Sequence, residues 1–377
     1  MIVNKNIKSN VKLIASEDIW IEGDAIMQLN KASELEGVQY AVGLPDLHPG
    51  KGNPIGAAFI IEKIIYPFLI GNDIGCGIGL FLTDIKRKKI KRDKWLNKLD
   101  GLEQPYEDDL KLLQEEFNFK PSIYDSSLGT IGGGNHFAEI QTIEKVYDKD
   151  AFDKLKLDKQ YLCILVHSGS RVLGDSILRK HTEKYGAKGL SDESEDGLQY
   201  IELHDNALKW AKCNRALIAH RFVSKLGAAC CPIIDVCHNS ITRIDYNNRI
   251  MWLHRKGVAP SDIGPILIAG SRGTLSYLVK PIGEQKVNAW SLAHGAGRKW
   301  NRSSCKGRLE DKYDSKALIQ TKNGNYIICE DKDLLYEEAP QAYKNIDKII
   351  ENMIQTGLIE IIATLNPIIT YKMRKTR

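Results

Sequence analysis

The apolar residues of this chain come in short bursts, and several of them end abruptly on a histidine or a glycine turn. GAAFII (56–61) and YLCILVH (161–167) are the clearest. None approaches the roughly 20 residues that a membrane-spanning helix requires. Runs of this length, bounded by Gly and Pro, read as buried strands, and buried strands need partners on both faces. With 377 residues, 43% of them hydrophobic, the chain has enough material for a sizeable core. The expectation is a globular protein built on sheet.

More strands of the same kind follow along the chain. VQYAVGL (38–44) precedes the glycine- and proline-rich loop PDLHPGKGNPI (45–55), and GIGLFLT follows a sharp GNDIGCG turn (71–77). CCPIIDVCHN (230–239) again runs out at a histidine, and GPILIAGSRGT (264–274) repeats the pattern with glycine and serine. Between Gly197 and about Leu226 the apolar residues recur at helical intervals, with His204 and His220 riding on the helix. APQAYKNIDKIIENMIQTG (339–357) is amphipathic and ends on glycine, so it predicts a helix, with the strand-like LIEIIATL after it. There is no regular β-α alternation, no internal repeat and no Pro/Ser linker. The chain therefore reads as one continuous α+β domain over residues 1–377.

Charge and cysteine usage narrow the setting. Fifty-three Lys and Arg against 48 Asp and Glu leave a mild net +5, which permits a basic patch without requiring one. The strongly basic stretch DIKRKKIKRDKWLNK (84–98) reads either as a solvated lysine-covered surface or as a track for a nucleic-acid backbone. Eight cysteines follow no compact disulfide framework, so reduced thiols are expected. The N-terminal MIVNKNIKSNVKLIAS lacks the apolar core of a secretory signal, which points to a cytoplasmic protein without a membrane partner.

The chemistry-bearing residues sit at the ends of these strands. Asp73 and Cys76 share one glycine-flanked turn, where a carboxylate and a thiolate can face one ion; a buried thiol beside a turn aspartate is the plainer reading. GGGNHF (132–137) exposes backbone N–H groups and then supplies Asn135 and His136, with Glu139 beyond; no lysine closes it as a phosphate loop of the Walker kind. VHSGSR (166–171) and VCHN (236–239) add His167 and His238. One strand-end histidine is ordinarily structural. Asp, Cys and three His together form a ligand set for borderline divalent metals such as Mn, Fe, Co or Zn. Five ligands suggest two ions, which a bridging thiolate can hold about 3.5–4 Å apart to clamp phosphate oxygens. LAHGAGRKW (292–300) then places His294 among small residues. There a neutral imidazole can attack an α-phosphate to form a phosphoramidate. Arg298 would stabilise phosphate charge, and Lys299, Arg302, Lys306 and Arg308 extend a basic rim or a solvated cluster.

Taken in order, GLPDLHPGKGNPIGAA, GNDIGCG, GTIGGGNHF, VHSGSR, DVCHN, HRKG, AGSRGT and SLAHGAGR resemble the RtcB family of GTP-dependent RNA ligases, from about Val42 to the C-terminus. The short length resembles the bacterial subgroup associated with a release factor H homologue, with a role in RNA repair. The resemblance implies a single RtcB-type domain with a central metal and nucleotide cleft. It also implies a reaction that joins an RNA 3′-phosphate or 2′,3′-cyclic phosphate end to a 5′-hydroxyl end. GTP and two Mn²⁺ ions are the implied cofactors. Asp73, Cys76 and His136 would hold one ion and Cys76, His167 and His238 the other, with His294 as the residue guanylylated. The implied nucleotide contacts are Asn135, Phe137, Ala138, Glu139, His238, Asn239, Ala269, Gly270, Ser271, Arg272, Ser276, Gly295, Ala296 and Gly297. Lys372 is the counterpart of a terminal guanine-contacting lysine, although this chain runs on past it. Arg272 stands where the family commonly has methionine, and Val172 where it has glycine. Two alternatives use the same residues: a metal-dependent cyclic phosphodiesterase that does not ligate, and a non-catalytic RNA-binding protein.

Overall fold

In the computed structural model, which describes residues 8–107, 109–321 and 324–375, two sheets organise the chain. The path of the larger runs Ile266–Ile268, Ser276–Pro281, Ile359–Met373, Phe137–Val146, Tyr161–Ser168, Gly77–Lys86 and Cys230–Cys237, with Tyr326–Cys329 paired beside Ile359–Met373. The smaller runs Val11–Leu13, Val38–His48, Ile55–Ile61, Arg249–Lys256 and Asn239–Tyr246.

The central strand Tyr161–Ser168 shows why its sequence is apolar without alternation. Cys163 and Leu165 join a core shared with Val42, Leu44, Ala58 and Ile60 of the smaller sheet. Leu162, Ile164 and Val166 pack on the opposite face against Ile218, Ala219, Phe222 and Val223 of the helix Glu195–Lys225. Buried on both faces, the strand carries no polar side chain until it reaches His167. The covering helix is started by Ser194, whose side chain accepts from the Gly197 N–H, with Glu195 and Asp196 complementing the positive end of its dipole. His204 on this helix is structural, because its Nε2 accepts the Ile241 N–H at 3.0 Å.

Register then gathers the strand ends. Gly77 pairs with both Ser168 and Cys237, and Phe137 pairs with His167. Cys76 and His136 immediately precede their strands, His167 lies next to the last residue of its strand, and His238 follows its own. Antiparallel neighbours in this register bring all four to one edge of the sheet. The next strand over adds Thr370 opposite Glu139 and Tyr371 opposite Ala138, which carries Lys372 to the same edge.

Several expected boundaries move. The loop expected over 45–55 begins later, because Pro45–His48 continue the strand Val38–His48 through a register slip, and Lys344 Nζ donates to Pro45 O and Leu47 O to hold them. The helix expected over 339–357 is confined to Ile346–Gln355, since Asn345 caps it through the Asp347 N–H and a 3₁₀ turn occupies Pro340–Ala342. The terminal strand is longer than LIEIIATL, running from Ile359 to Met373 with register shifts that accommodate Pro367. In the basic stretch, Trp95 is buried while the lysines face solvent, and it begins at the far end of Gly77–Lys86, roughly 30 Å of strand from the histidine edge. That favours the solvated-surface reading. All eight cysteines are free. Among the described residues no helix is long and apolar enough to cross a membrane. Residues 1–7 of the N-terminal stretch read above for a signal lie outside the described residues, as do residues 376–377 after Lys372.

Candidate metal and nucleotide site

A cleft of about 1470 Å³ opens at the histidine edge, large enough for a nucleotide and the end of a polynucleotide. Along its floor the expected donor atoms form an unbroken line. His136 Nε2 lies 2.8 Å from Asp73 Oδ2 and 3.5 Å from Cys76 Sγ. Cys76 Sγ is 3.3 Å from His167 Nε2, which is 3.3 Å from His238 Nε2. The His238 and His294 rings follow, with centroids 4.6 Å apart. The sulfur therefore stands between two imidazoles, and all five expected ligands meet.

Electrostatics make this line a cation site. Burial holds His167 and His238 well below the usual imidazole range, reinforced by the neighbouring histidines, so both are neutral. Two neutral imidazoles whose Nε2 atoms face each other can share at most one proton, whereas a cation satisfies both lone pairs. Burial, with the Asp73 charge beside it, pushes the Cys76 thiol well up, so a thiolate needs a positive ion to exist there. Burial also opposes the Asp73 charge, but the His136 imidazole outweighs it and keeps the carboxyl below its usual range. Asp73 Oδ1 is buried without a protein partner. Cysteine, histidine and carboxylate around neutral rings fit a borderline divalent metal.

His294 is controlled by a residue that sequence reasoning passed over. Asp46, fully buried, accepts from His294 Nδ1 at 2.8 Å and from the His294 backbone N–H at 3.3 Å. The contact depends on two glycines at positive φ: a Cβ on Gly297 would lie 2.3 Å from Asp46 O, and one on Gly56 would lie 2.9 Å from Asp46 Oδ1. His48, also unassigned from the sequence, lines the cleft beside Asp46, and burial lowers its pKa to about 4. Asp46 and His48 stand inside the PDLHPG block. An acid two residues from a histidine between glycines was the available signal, though nothing local ties it to position 294.

The expected nucleotide residues divide into groups. Asn135, Phe137, Glu139, Ala269, Gly270, Ser271, Arg272, Gly295, Ala296, Gly297 and Lys372 all line the cleft. A bridge between Ala269 and Gly295 lays the AGSRGT loop beside the HGAG loop. Glu139 accepts from Thr370 Oγ1 at 2.6 Å and from Gln141 Nε2 at 2.8 Å, while burial pushes its carboxyl up to about 7. Lys372 lies 5.9 Å from the Phe137 ring centre. Arg272 is buried with one guanidinium nitrogen bonded to Leu335 O and the other, Nη1, without a protein partner. Asn239 is on the wall, but its amide donates to Asp73 O at 3.0 Å and accepts the Gly257 N–H at 2.8 Å, so it braces the site. Ala138 and Ser276 are not on the wall. Strand alternation turns Ala138 into the helix-side core, and Ser276 Oγ accepts the Gly270 N–H at 3.2 Å.

Arg298 departs from its expected role. Its Nε donates to Trp300 O, Nη1 to Glu338 Oε1 and Tyr343 OH, and Nη2 to Glu337 O and Cys305 Sγ. All five guanidinium protons are engaged by the protein, which leaves none for a phosphate. Glu338 is the hub of this knot: it also pairs with Arg302 Nη1 at 2.6 Å and Lys372 Nζ at 3.4 Å. Burial opposes its charge, but Lys372, Arg302 and Arg298 together hold its carboxyl well below the usual range. Of the expected rim, Lys299 and Arg308 lie over the Trp300 ring, and Lys306 pairs with Asp333.

Comparison with known proteins places the chain in a family. The family model described as tRNA-splicing ligase RtcB matches residues 28–120 and 112–373, so the likeness begins before Val42. The chain is similar to RNA-splicing ligase RtcB2 of Escherichia coli, 47% identical over 361 residues that cover 95% of this chain and 94% of that one. It is also similar to the tRNA-splicing ligases RtcB of Archaeoglobus fulgidus, 28% identical over 92% of this chain and 91% of that protein, and of Thermococcus kodakarensis, 28% identical over 90% and 89%. With nearly its whole length matched by the family model and by a relative 47% identical to it, the chain belongs to the RtcB family.

Proposed function

We propose that this protein is an RNA ligase joining 3′-phosphate or 2′,3′-cyclic phosphate ends to 5′-hydroxyl ends through a guanylylated His294. One observation carries the reading: His294, held from behind by buried Asp46, opens onto the same cleft as the Cys76, His136, His167 and His238 donors. Similar proteins named as RNA- and tRNA-splicing ligases support it.

Asp73, Cys76 and His136 would hold one manganese ion and Cys76, His167 and His238 a second, with the sulfur between His136 and His167 as the shared ligand. Bound there, the ions supply Lewis acidity and charge neutralisation toward phosphate oxygens. Asp46 accepts the Nδ1 proton, which leaves Nε2 of a neutral imidazole as the nucleophile. Nε2 attacks the α-phosphorus of GTP; the P–N bond forms as the P–O bond to the β-phosphate breaks, and pyrophosphate leaves with the electron pair. Asp46 stabilises the positive charge that develops on the ring. A 2′,3′-cyclic end is first opened by water, breaking P–O2′ to give the 3′-phosphate and a 2′-hydroxyl; the RNA 3′-phosphate then takes the GMP, breaking P–N and restoring the imidazole. Finally the 5′-hydroxyl oxygen attacks the RNA phosphorus and expels GMP. Guanine presents donors at N1 and N2 and an acceptor at O6, which Glu139 and Lys372 complement beside the Phe137 ring. Asn135, Ser271 and the Gly270 and Gly295–Gly297 backbone face the phosphates and ribose. In this reading Ala138, Asn239 and Ser276 act through the scaffold.

The whole of 1–377 is one catalytic unit in this reading. A cytoplasmic setting fits eight free cysteines. We add to this reading a role in RNA repair beside a release factor H-type protein, which the short chain of 377 residues suggests. Incubation with α-labelled GTP and Mn²⁺ should leave label on the protein, and His294→Ala should remove it. Cys76→Ala should abolish metal binding and ligation together. Label that survives His294→Ala, or hydrolysis of cyclic phosphate with no label at all, would return the reading to a phosphodiesterase.

A further inference from the structure

Two histidines of the metal edge, His136 and His238, lack the usual means of orientation among the described residues. A ligating imidazole is ordinarily steered by a hydrogen bond to its second nitrogen, yet His136 Nδ1 and His238 Nδ1 are buried with no protein partner. Their positions must therefore come from the backbone that carries them. Beside Cys76, His167 and His238 the chain is gripped from beneath by one side chain, Arg215 of the helix Glu195–Lys225, which is fully buried.

Arg215 Nη1 donates to Gly75 O at 2.6 Å and to Ser168 O at 2.9 Å, the residues flanking Cys76 and His167. Its Nη2 donates to Cys237 Sγ at 3.4 Å, beside His238, and to Asp235 Oδ1 at 2.6 Å, while Nε donates to Asp235 Oδ2 at 2.8 Å. Five donors thus meet five acceptors. The preceding residue, Asn214, extends the grip: its amide donates to Gly169 O and Ser168 Oγ, both at 3.2 Å, and accepts the Gly129 N–H at 2.8 Å. We infer that Arg215, anchored by Asp235, is a positioning residue that sets the spacing of Cys76, His167 and His238 for metal binding, beyond any share it has in holding the fold. The planar fork matters, because an ammonium cannot reach two backbone carbonyls, a thiol and a carboxylate at once.

This inference rests on the metal reading above, and cobalt(II) alone can test the two separately. The wild-type protein should take up Co²⁺ with a thiolate-to-metal charge-transfer band that Cys76→Ala loses. Without that pattern the metal reading falls, and the positioning role with it. Given the pattern, Arg215→Lys should weaken Co²⁺ binding by about 10–100-fold and displace the band, measured on the folded fraction. Phe222→Leu, a buried change on the same helix that packs beside Tyr371, serves as the control for lost stability. It should melt earlier yet bind Co²⁺ with wild-type affinity and spectrum. Should Arg215→Lys not fold, Asp235→Asn decides the matter, with a smaller loss in the same direction. Unchanged affinity and band in the folded Arg215→Lys or, failing that, Asp235→Asn protein would overturn the positioning role, as would an equal loss in Phe222→Leu.

Discussion

Two polar clusters border His294, and they are built on opposite principles. On one side Asp73, Cys76, His136, His167 and His238 turn donor atoms toward one another and leave Asp73 Oδ1 unpartnered. On the other side Glu338 is bound by Arg298, Arg302, Lys372 and Tyr343, and Arg298 has no proton left over. Lone pairs that face each other call for a ligand, whereas charges that are already matched serve as scaffold. Burial alone would not have separated the two, since His136, His167 and His238 on one side and Glu338 and Lys372 on the other are all buried. What separates a binding site from a brace is the count of unsatisfied donors and acceptors.

His294 stands between these regimes, so the largest effect is expected where its own partner is altered. Asp46→Asn can turn an amide N–H toward Nδ1, which moves the ring proton to Nε2 and blocks the nucleophile. Guanylylation should slow by about 10²–10⁴-fold with GTP binding little changed. Single-turnover labelling checks this, and a wild-type rate would mean that the pair does not set the tautomer.

The scaffold side should respond in stability. Glu338→Gln leaves three cations without their buried counter-charge, and the unfolding free energy should fall by about 3–5 kcal/mol in denaturant titration. Unchanged stability would erase the contrast between the clusters, because Arg298 and Arg302 would then be free to serve a ligand.

The smallest effect concerns pH. Burial raises Glu139 from 4.5 to about 7, so the folded state holds its proton where the unfolded chain releases it. This contribution is fully present below pH 4.5 and is lost as pH rises toward 7, with a slope of at most about 1.4 kcal/mol per pH unit. Glu139→Gln should flatten thermal stability across that window in the ligand-free protein. An identical pH profile in the variant would place the titration elsewhere.

Much of the α+β core was legible because strands buried on both faces have no choice but to be apolar, as in YLCILVH and GAAFII. The ligand types were legible for the same reason: a histidine ending such a run is conspicuous. Helix boundaries around 339–357 were not, since one cap at Asn345 decides them and the amphipathic pattern extends past it. Pairings across the chain were hidden altogether. Asp46 and His294 are separated by 248 positions, and Glu338 reaches Lys372, 34 positions away, through a cluster with no local motif.

The amino-acid order by itself determined which residues could bind metal or attack phosphorus, and that they would lie where strands give way to glycine. Only the tertiary structure decided that these ends coincide. Sheet register sets Gly77 against both Ser168 and Cys237, and it is a property of paired strands that no single strand encodes. The same holds for Arg215, an unremarkable basic residue in a helix until folding places five acceptors around it. A buried polar group takes its meaning from its partners, and partners exist only in three dimensions.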